Sequence, residues 1–128
     1  LKLGGKIALP ALPKTPPYVW APPKQFGTPA DIAAGGSNFQ RYCLVCHGPG
    51  AVGNGVLPDL RKSGAIADAA VWKSVVIDGI LKSNGMVSFS SVLTPKEAEQ
   101  MRAYVVSRAH YAKINDAALG GGSKKAGK

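Results

Sequence analysis

Both cysteines of the chain fall within five residues, Cys43-Leu44-Val45-Cys46-His47, with a histidine directly behind the second. This C-x-x-C-H run is the signature of covalent c-type haem attachment. Two thiols three positions apart can bond the two vinyl-derived positions of one porphyrin, which leaves the adjacent imidazole beside the iron as proximal ligand. Cys43 and Cys46 are then the anchors of one covalent haem c, and His47 is a metal ligand. Other chemistries fit less well. A structural zinc site takes four thiolate or imidazole ligands, and the whole supply is Cys43, Cys46, His47 and the distant His110, in a spacing that matches no zinc pattern. A thioredoxin-like C-x-x-C belongs between strand runs, and none flank residues 30–60.

A chain of 128 residues, 45% hydrophobic, has room for one domain with a core. Its net charge of +9 raises the question of nucleic acid, which the distribution answers. Residues 1–29 hold four lysines and no acid, and residues 120–128 hold three lysines and no acid. The middle has nine bases against seven acids. The excess sits in the arms, where it solvates the chain ends, and no nucleic-acid patch is expected. No run approaches the roughly 20 apolar residues of a spanning helix. The first residue is Leu1, which suggests a processed protein or a piece of a longer one.

Seven of the ten prolines lie between Pro10 and Pro29. They interrupt any helix or strand, so residues 1–28 read as an extended strap. Its apolar residues, among them Leu12, Tyr18, Val19, Trp20 and Phe26, are too many for a solvated linker, and part of it is expected to lie against another surface. Residues 119–128, rich in glycine and lysine, read as a flexible tail. The remainder, residues 29–118, carries three helix starts. Thr28-Pro29-Ala30-Asp31 supplies a hydroxyl cap, a proline at the first position and a carboxylate at the third, followed by the stripe Ile32, Gly36, Phe39, Cys43. Asp68 caps a second helix through Asp78, with a stripe of Val71 or Trp72, Val75, Val76 and Ile80, and Gly79 as its stop. Thr94-Pro95-Lys96-Glu97 is a full capping box ahead of Ala98, Met101, Tyr104, Val105 and Arg108. Gly35 and Gly36 inside the first helix each cost about 1 kcal/mol relative to alanine. Close approach of another helix, with Tyr104 as the candidate neighbour, is one physical reason for them; a late start or a kink is the other.

Histidine alone leaves the iron five-coordinate. The candidates for the sixth position are Met86, in the irregular Ser83-Asn84-Gly85-Met86-Val87-Ser88-Phe89 stretch, then His110 and Met101, the last on a helix stripe where methionine is usually core filler. Thioether ligation raises the reduction potential relative to a second imidazole, and with both axial positions filled the chemistry reduces to one-electron transfer. An open sixth position would instead make a haem enzyme or gas sensor. Pro58 is a candidate carbonyl acceptor for the second nitrogen of His47. Val56, Leu57 and Leu60 suit a porphyrin wall. Arg61 and Trp72 are candidate propionate partners, one as a cation and one as an indole donor. The apolar loops around Val52, Val56, Val87, Phe89 and Val92 are the expected haem edge and docking surface.

With Cys43-Leu44-Val45-Cys46-His47-Gly48, the Leu57-Pro58-Asp59-Leu60 wall, Gly85-Met86-Val87-Ser88-Phe89 and the Thr94-Pro95 helix, the chain resembles class I cytochrome c domains over about residues 29–112. Gly55-Val56-Leu57-Pro58-Asp59-Leu60-Arg61, the Trp72 helix and Arg102-Ala103-Tyr104-Val105 look more narrowly like the C-terminal cytochrome domain of quinohaemoprotein alcohol dehydrogenases. The Leu3-Gly4-Gly5-Lys6-Ile7-Ala8-Leu9-Pro10 opening is similar to the link that leaves their propeller domain. The resemblance implies an all-α class I fold of three main helices around the haem, in an exported, periplasmic protein. It also implies a relay. A pyrroloquinoline quinone (PQQ) propeller, with its Ca2+, would reduce this haem, which passes single electrons to a soluble acceptor such as a copper protein or another cytochrome. Quinone, calcium and catalytic acid would all lie outside these residues, so the chain alone is expected to carry electrons and not to oxidise alcohols. A free-standing periplasmic carrier is the alternative of the same class.

Overall fold

In the computed structural model, which describes residues 8, 10–13 and 16–123, the chain is helical, with no strand among the described residues. Helix α1 spans Pro29–Tyr42 and runs into the single turn α2, Leu44–His47. Short 3-10 turns lead to α3, Ala69–Lys73, and a long α4, Pro95–Ser123, closes the domain.

The caps form as their residue types require. The Asp31 amide donates to Thr28 Oγ1 at 3.1 Å, and the Thr28 amide donates to Asp31 Oδ2 at 2.9 Å, a reciprocal box that satisfies two otherwise orphaned donors. At α4 the Glu97 amide donates to Thr94 Oγ1 at 3.2 Å and the Thr94 amide to Glu97 Oε2 at 2.7 Å. Asp68 Oδ1 accepts from the amides of Ala70 and Val71 at the start of α3.

α3 departs from the expected regular helix through Asp78. After Lys73 it widens into a π turn, Ser74–Asp78, that ends at Gly79 in the left-handed region, φ 71°. The wider turn shifts the stripe, burying Trp72, Val76 and Ile77 and leaving Val71 and Ile80 exposed. α4 also outruns its expected end: its backbone stays helical through Ser123, where glycine content suggested a tail from residue 119. An established helix extends one residue at a time without a new nucleation cost, which offsets weak glycine propensity. Residues 124–128 lie outside the described part of the chain.

α1 and α4 cross on the two glycines, and α1 neither starts late nor breaks there. A Cβ on Gly35 would stand 2.0 Å from the Gln100 carbonyl oxygen, and one on Gly36 would stand 3.1 Å from the Tyr104 ring. The backbones therefore touch, and Phe39, Met101, Val105 and Val106 seal the contact. Arg102, unexpectedly, is buried as well, between α4, the Ile66 turn and the strap. Its Nη1 donates to the Ile66 carbonyl at 2.8 Å, its Nε to Glu99 at 2.8 Å, and its guanidinium lies 4.0 Å from the Phe26 ring centre.

The strap is extended, and from Tyr18 onward its contacts return to this domain. Trp20 and Phe26 pack on the core. The Trp20 indole N–H donates to Asp116, and Arg61 and Lys62 sit over its ring. Gln25 donates to the Ala103 carbonyl at 3.2 Å, and His110 Nε2 lies 2.7 Å from the Pro23 carbonyl. Leu3, Ile7 and Leu9 lie outside the described residues.

Candidate haem site

Cys43 ends α1, its amide donating to Phe39, and its carbonyl in turn accepts from Cys46 and His47, so α2 is one tight turn hung from the end of α1. This turn puts Cys43 inside the protein and leaves Cys46 exposed. Gly48, at φ 73°, then reverses the chain where a Cβ would meet the Gly53 oxygen at 2.7 Å. The Gly53 amide donates back to the His47 carbonyl at 2.8 Å.

On the far side, the Met86 loop is sewn to the π turn. The Phe89 amide donates to Val76 at 2.9 Å, the Ser88 hydroxyl to Ile77 at 2.5 Å, and the Met86 amide to Leu81 at 3.2 Å. Between these two flanks lies an apolar cavity of about 430 Å³. Cys43, Cys46, His47 and Met86 all line it, with Leu57, Pro58, Leu60 and Phe89. This is the size and character of a cofactor pocket.

The electrostatics suit a neutral, soft donor set. Burial pushes the Cys43 thiol up to about 12, with the Cys46 charge adding to it. Burial lowers the pKa of His47, which favours the unprotonated imidazole that ligates a metal. Its Nδ1 is buried without a hydrogen-bond partner. The Pro58 carbonyl, expected to accept from that nitrogen, does not do so here, although Pro58 shares the cavity wall. A thiol pair, an imidazole with one unspent buried nitrogen and a thioether, all facing one apolar slot, fit a haem c. Among the described residues no three His, Cys, Asp or Glu side chains gather as a metal cage of their own.

A family model described as cytochrome C oxidase, cbb3-type, subunit III matches residues 30–105. The chain belongs to this cytochrome c family. The cytochrome domain is 38% identical over 107 residues to the quinohemoprotein alcohol dehydrogenase ADH IIB of Pseudomonas putida, covering 83% of the chain and 15% of the relative. It is 39% identical over 108 residues to the dehydrogenase subunit of the alcohol dehydrogenase (quinone) of Acetobacter aceti, covering 84% and 14%. A solved structure of the quinohemoprotein alcohol dehydrogenase ADHIIG of Pseudomonas putida HK5 superimposes with a TM-score of 0.66 at 37% identity, covering 85% of the chain and 16% of that one. The chain thus spans about one seventh of the length of the curated relatives it matches.

Two expected site residues of the cytochrome domain are engaged elsewhere. Trp72 lines the cavity with its ring, but its N–H donates to the Ala98 carbonyl at 2.7 Å and is not available to a propionate. Arg61 forms a two-point pair with Asp59, at 2.9 and 2.7 Å, and stacks on the Trp20 ring on the strap side of the wall. It lines a smaller cavity beneath Pro22 and Pro23. Of the rival sixth ligands, His110 is held at the strap, while Met101 reaches the cavity wall as a fully buried core residue of α4. Val52, Val56, Val87 and Val92 are exposed, whereas Phe89 is half-buried against Tyr42, their ring centres 6.2 Å apart. Sequence reasoning missed Tyr42 and Val75 in the wall; Tyr42 adjoins the C-x-x-C-H run, and that adjacency was the available signal. It also missed Asn54, which bridges the Cys46 carbonyl and the amides of Val56 and Leu57.

Proposed function

We propose that this chain holds one haem c, thioether-bonded at Cys43 and Cys46, with His47 and Met86 as axial ligands, and serves as an electron-transfer domain. The observation that carries this reading is the convergence of those four side chains on one apolar cavity from opposite flanks of the fold. When bound, the haem supplies a one-electron iron couple.

The chain's own residues do the rest. The α1–α2 junction fixes the two thiols and the imidazole on one wall. The loop bonds to Val76, Ile77 and Leu81 present the Met86 thioether on the other. Phe39, Trp72, Val76 and Met101 exclude water from the slot. The exposed Val52, Val56, Val87 and Val92 give an apolar, near-neutral surface suited to brief docking of a redox partner, whose contacts typically bury little area.

The names of the relatives support placing this domain at the output end of a PQQ-dependent alcohol dehydrogenase whose quinone and Ca2+ belong to a separate propeller domain. Electrons then leave to a periplasmic acceptor, a copper protein or another cytochrome. No described helix is long and apolar enough to cross a membrane.

Optical spectra of the purified protein in both oxidation states, with an intact mass, test the assignment. A sharp reduced α-band, the weak red methionine-to-iron band in the oxidised state and the mass of one added haem are expected. A colourless protein with both thiols free refutes haem attachment. Rapid carbon monoxide binding without denaturation refutes the sixth ligand.

A further inference from the structure

We infer that Asn54 is a positioning residue for the proximal side of the haem site, tying the turn that carries Cys46 and His47 to the loop that carries Leu57 and Pro58. The inference rests on reading that cavity as a haem site. Asn54 Nδ2 donates to the Cys46 carbonyl at 3.3 Å, while its Oδ1 accepts from the amides of Val56 at 3.1 Å and Leu57 at 3.0 Å. One side chain thus fastens three backbone groups on two segments.

The segments are already in contact. A Cβ on Gly48, directly behind His47, would stand 2.7 Å from the Gly53 oxygen where the loop begins, and one on Gly53 would stand 2.6 Å from the Leu57 oxygen within the loop. Close approach needs a tether, because backbone contact alone fixes no register. The Gly53 amide to the His47 carbonyl is one such bond. Asn54 supplies the second, through its nitrogen to Cys46, while its oxygen holds the Val56 and Leu57 amides of its own loop; a carboxylate, which only accepts, keeps the loop bonds and loses the bridge. Contacts around a ligating imidazole set its orientation and tune its metal. The buried, unpartnered Nδ1 of His47 and the Pro58 on the same wall are the groups whose relative placement this tether governs. Asn54 is itself exposed, so replacing it leaves the core untouched.

The test uses the haem-loaded protein, with attachment verified by mass. Asn54→Ala, which leaves the charge unaltered, is expected to speed amide exchange at Val56 and Leu57 about tenfold, the loss of one typical hydrogen bond at each. It is also expected to move both the His47 ring-proton resonance of the reduced state and the midpoint potential. Asn54→Asp keeps the two accepted bonds and loses the donated one, so Val56 and Leu57 stay protected while the His47 resonance still moves. An Asn54→Ala protein whose His47 resonance and potential match the wild type overturns the inference, even with faster exchange, since Asn54 then shapes a turn and nothing more. If Asn54→Ala does not take haem, an unmoved His47 resonance in Asn54→Asp overturns it. Wild-type protein without covalent haem overturns the underlying site reading, and that result precedes any variant.

Discussion

Gly35→Ala measures how tightly the helix crossing is built. The added Cβ would lie 2.0 Å from the Gln100 carbonyl oxygen, 2.4 Å from its carbon and 2.9 Å from the Met101 nitrogen. All three are backbone atoms of α4, so no side chain can turn aside, and ordinary contact requires the helices to part by about 1.4 Å. Parting them loosens Phe39, Met101 and Val105, which are almost wholly buried. Overpacking of this kind costs up to about 3 kcal/mol, and alanine returns about 1 kcal/mol of helix propensity, leaving a loss of about 2 kcal/mol. For a domain of this size that is a fall of roughly 10 °C in thermal midpoint. Gly36→Ala is the control. Its Cβ meets only the Tyr104 ring, at 3.1 Å, and the half-buried ring can shift, so its midpoint is expected within about 3 °C of wild type. Thermal melting of both haem-loaded variants decides. A Gly35→Ala protein that melts with the wild type would show that the backbones do not meet as described.

Met86→Ala is expected to lower the midpoint potential and admit exogenous ligands to the iron, read by redox titration and carbon monoxide binding; an unchanged potential removes Met86 from the site. Trp20→Ala removes the bond to Asp116 and the stacking on Arg61 and Lys62, a loss of about 2 kcal/mol. It should speed tryptic cleavage after Lys24 in limited proteolysis, and an unchanged rate would mean that His110 and Gln25 hold the strap by themselves. Asp31 is held at about 2, against an ordinary 3.8, first by the Gln100 amide and then by Thr28. Its folded-state value is the lower one, so its contribution is complete above about pH 4 and fades as the pH falls through 2. Asp31→Asn should therefore flatten the acid limb of a thermal-midpoint titration between pH 4 and 2, and an unaltered limb would show the Gln100 contact to be inconsequential.

Features set by local chemistry were legible before the fold. Thr28, Asp68 and Thr94 cap their helices because a short oxygen beside free amides has nowhere better to bond, and that is written in the sequence around each. The C-x-x-C-H spacing likewise forces two thiols and an imidazole onto one turn. Apart from the approach of Tyr104 to Gly36, which the paired glycines signalled, what depended on a partner distant in sequence was not legible. The Trp72 N–H was open to any acceptor until α4 placed the Ala98 carbonyl beside it. Arg61 pairs with Asp59 only two residues away, but its stacking on Trp20 depends on where the strap lands. The π turn at Ser74–Asp78 escaped because its stripe differs from that of a regular helix by a single residue.

The two proposed axial ligands come from separate stretches of chain, and α4 is what relates them. His47 hangs from α1, whose position is fixed by Gly35 against Gln100 and by Gly36 against Tyr104. Met86 hangs from the π turn that continues α3, and α3 is fixed to α4 by the Trp72 bond to Ala98. Ala98, Gln100, Met101 and Tyr104 lie within two turns of one helix, so one rigid element sets both flanks of the cavity. The walls also double as core: Phe39, Trp72, Val76 and Met101 each pack on a helix neighbour and face the slot. A small domain has little other core to draw on. Binding in the slot and folding of the helices are therefore coupled through the same side chains, and a group clamped there stabilises the crossing that positions its own ligands.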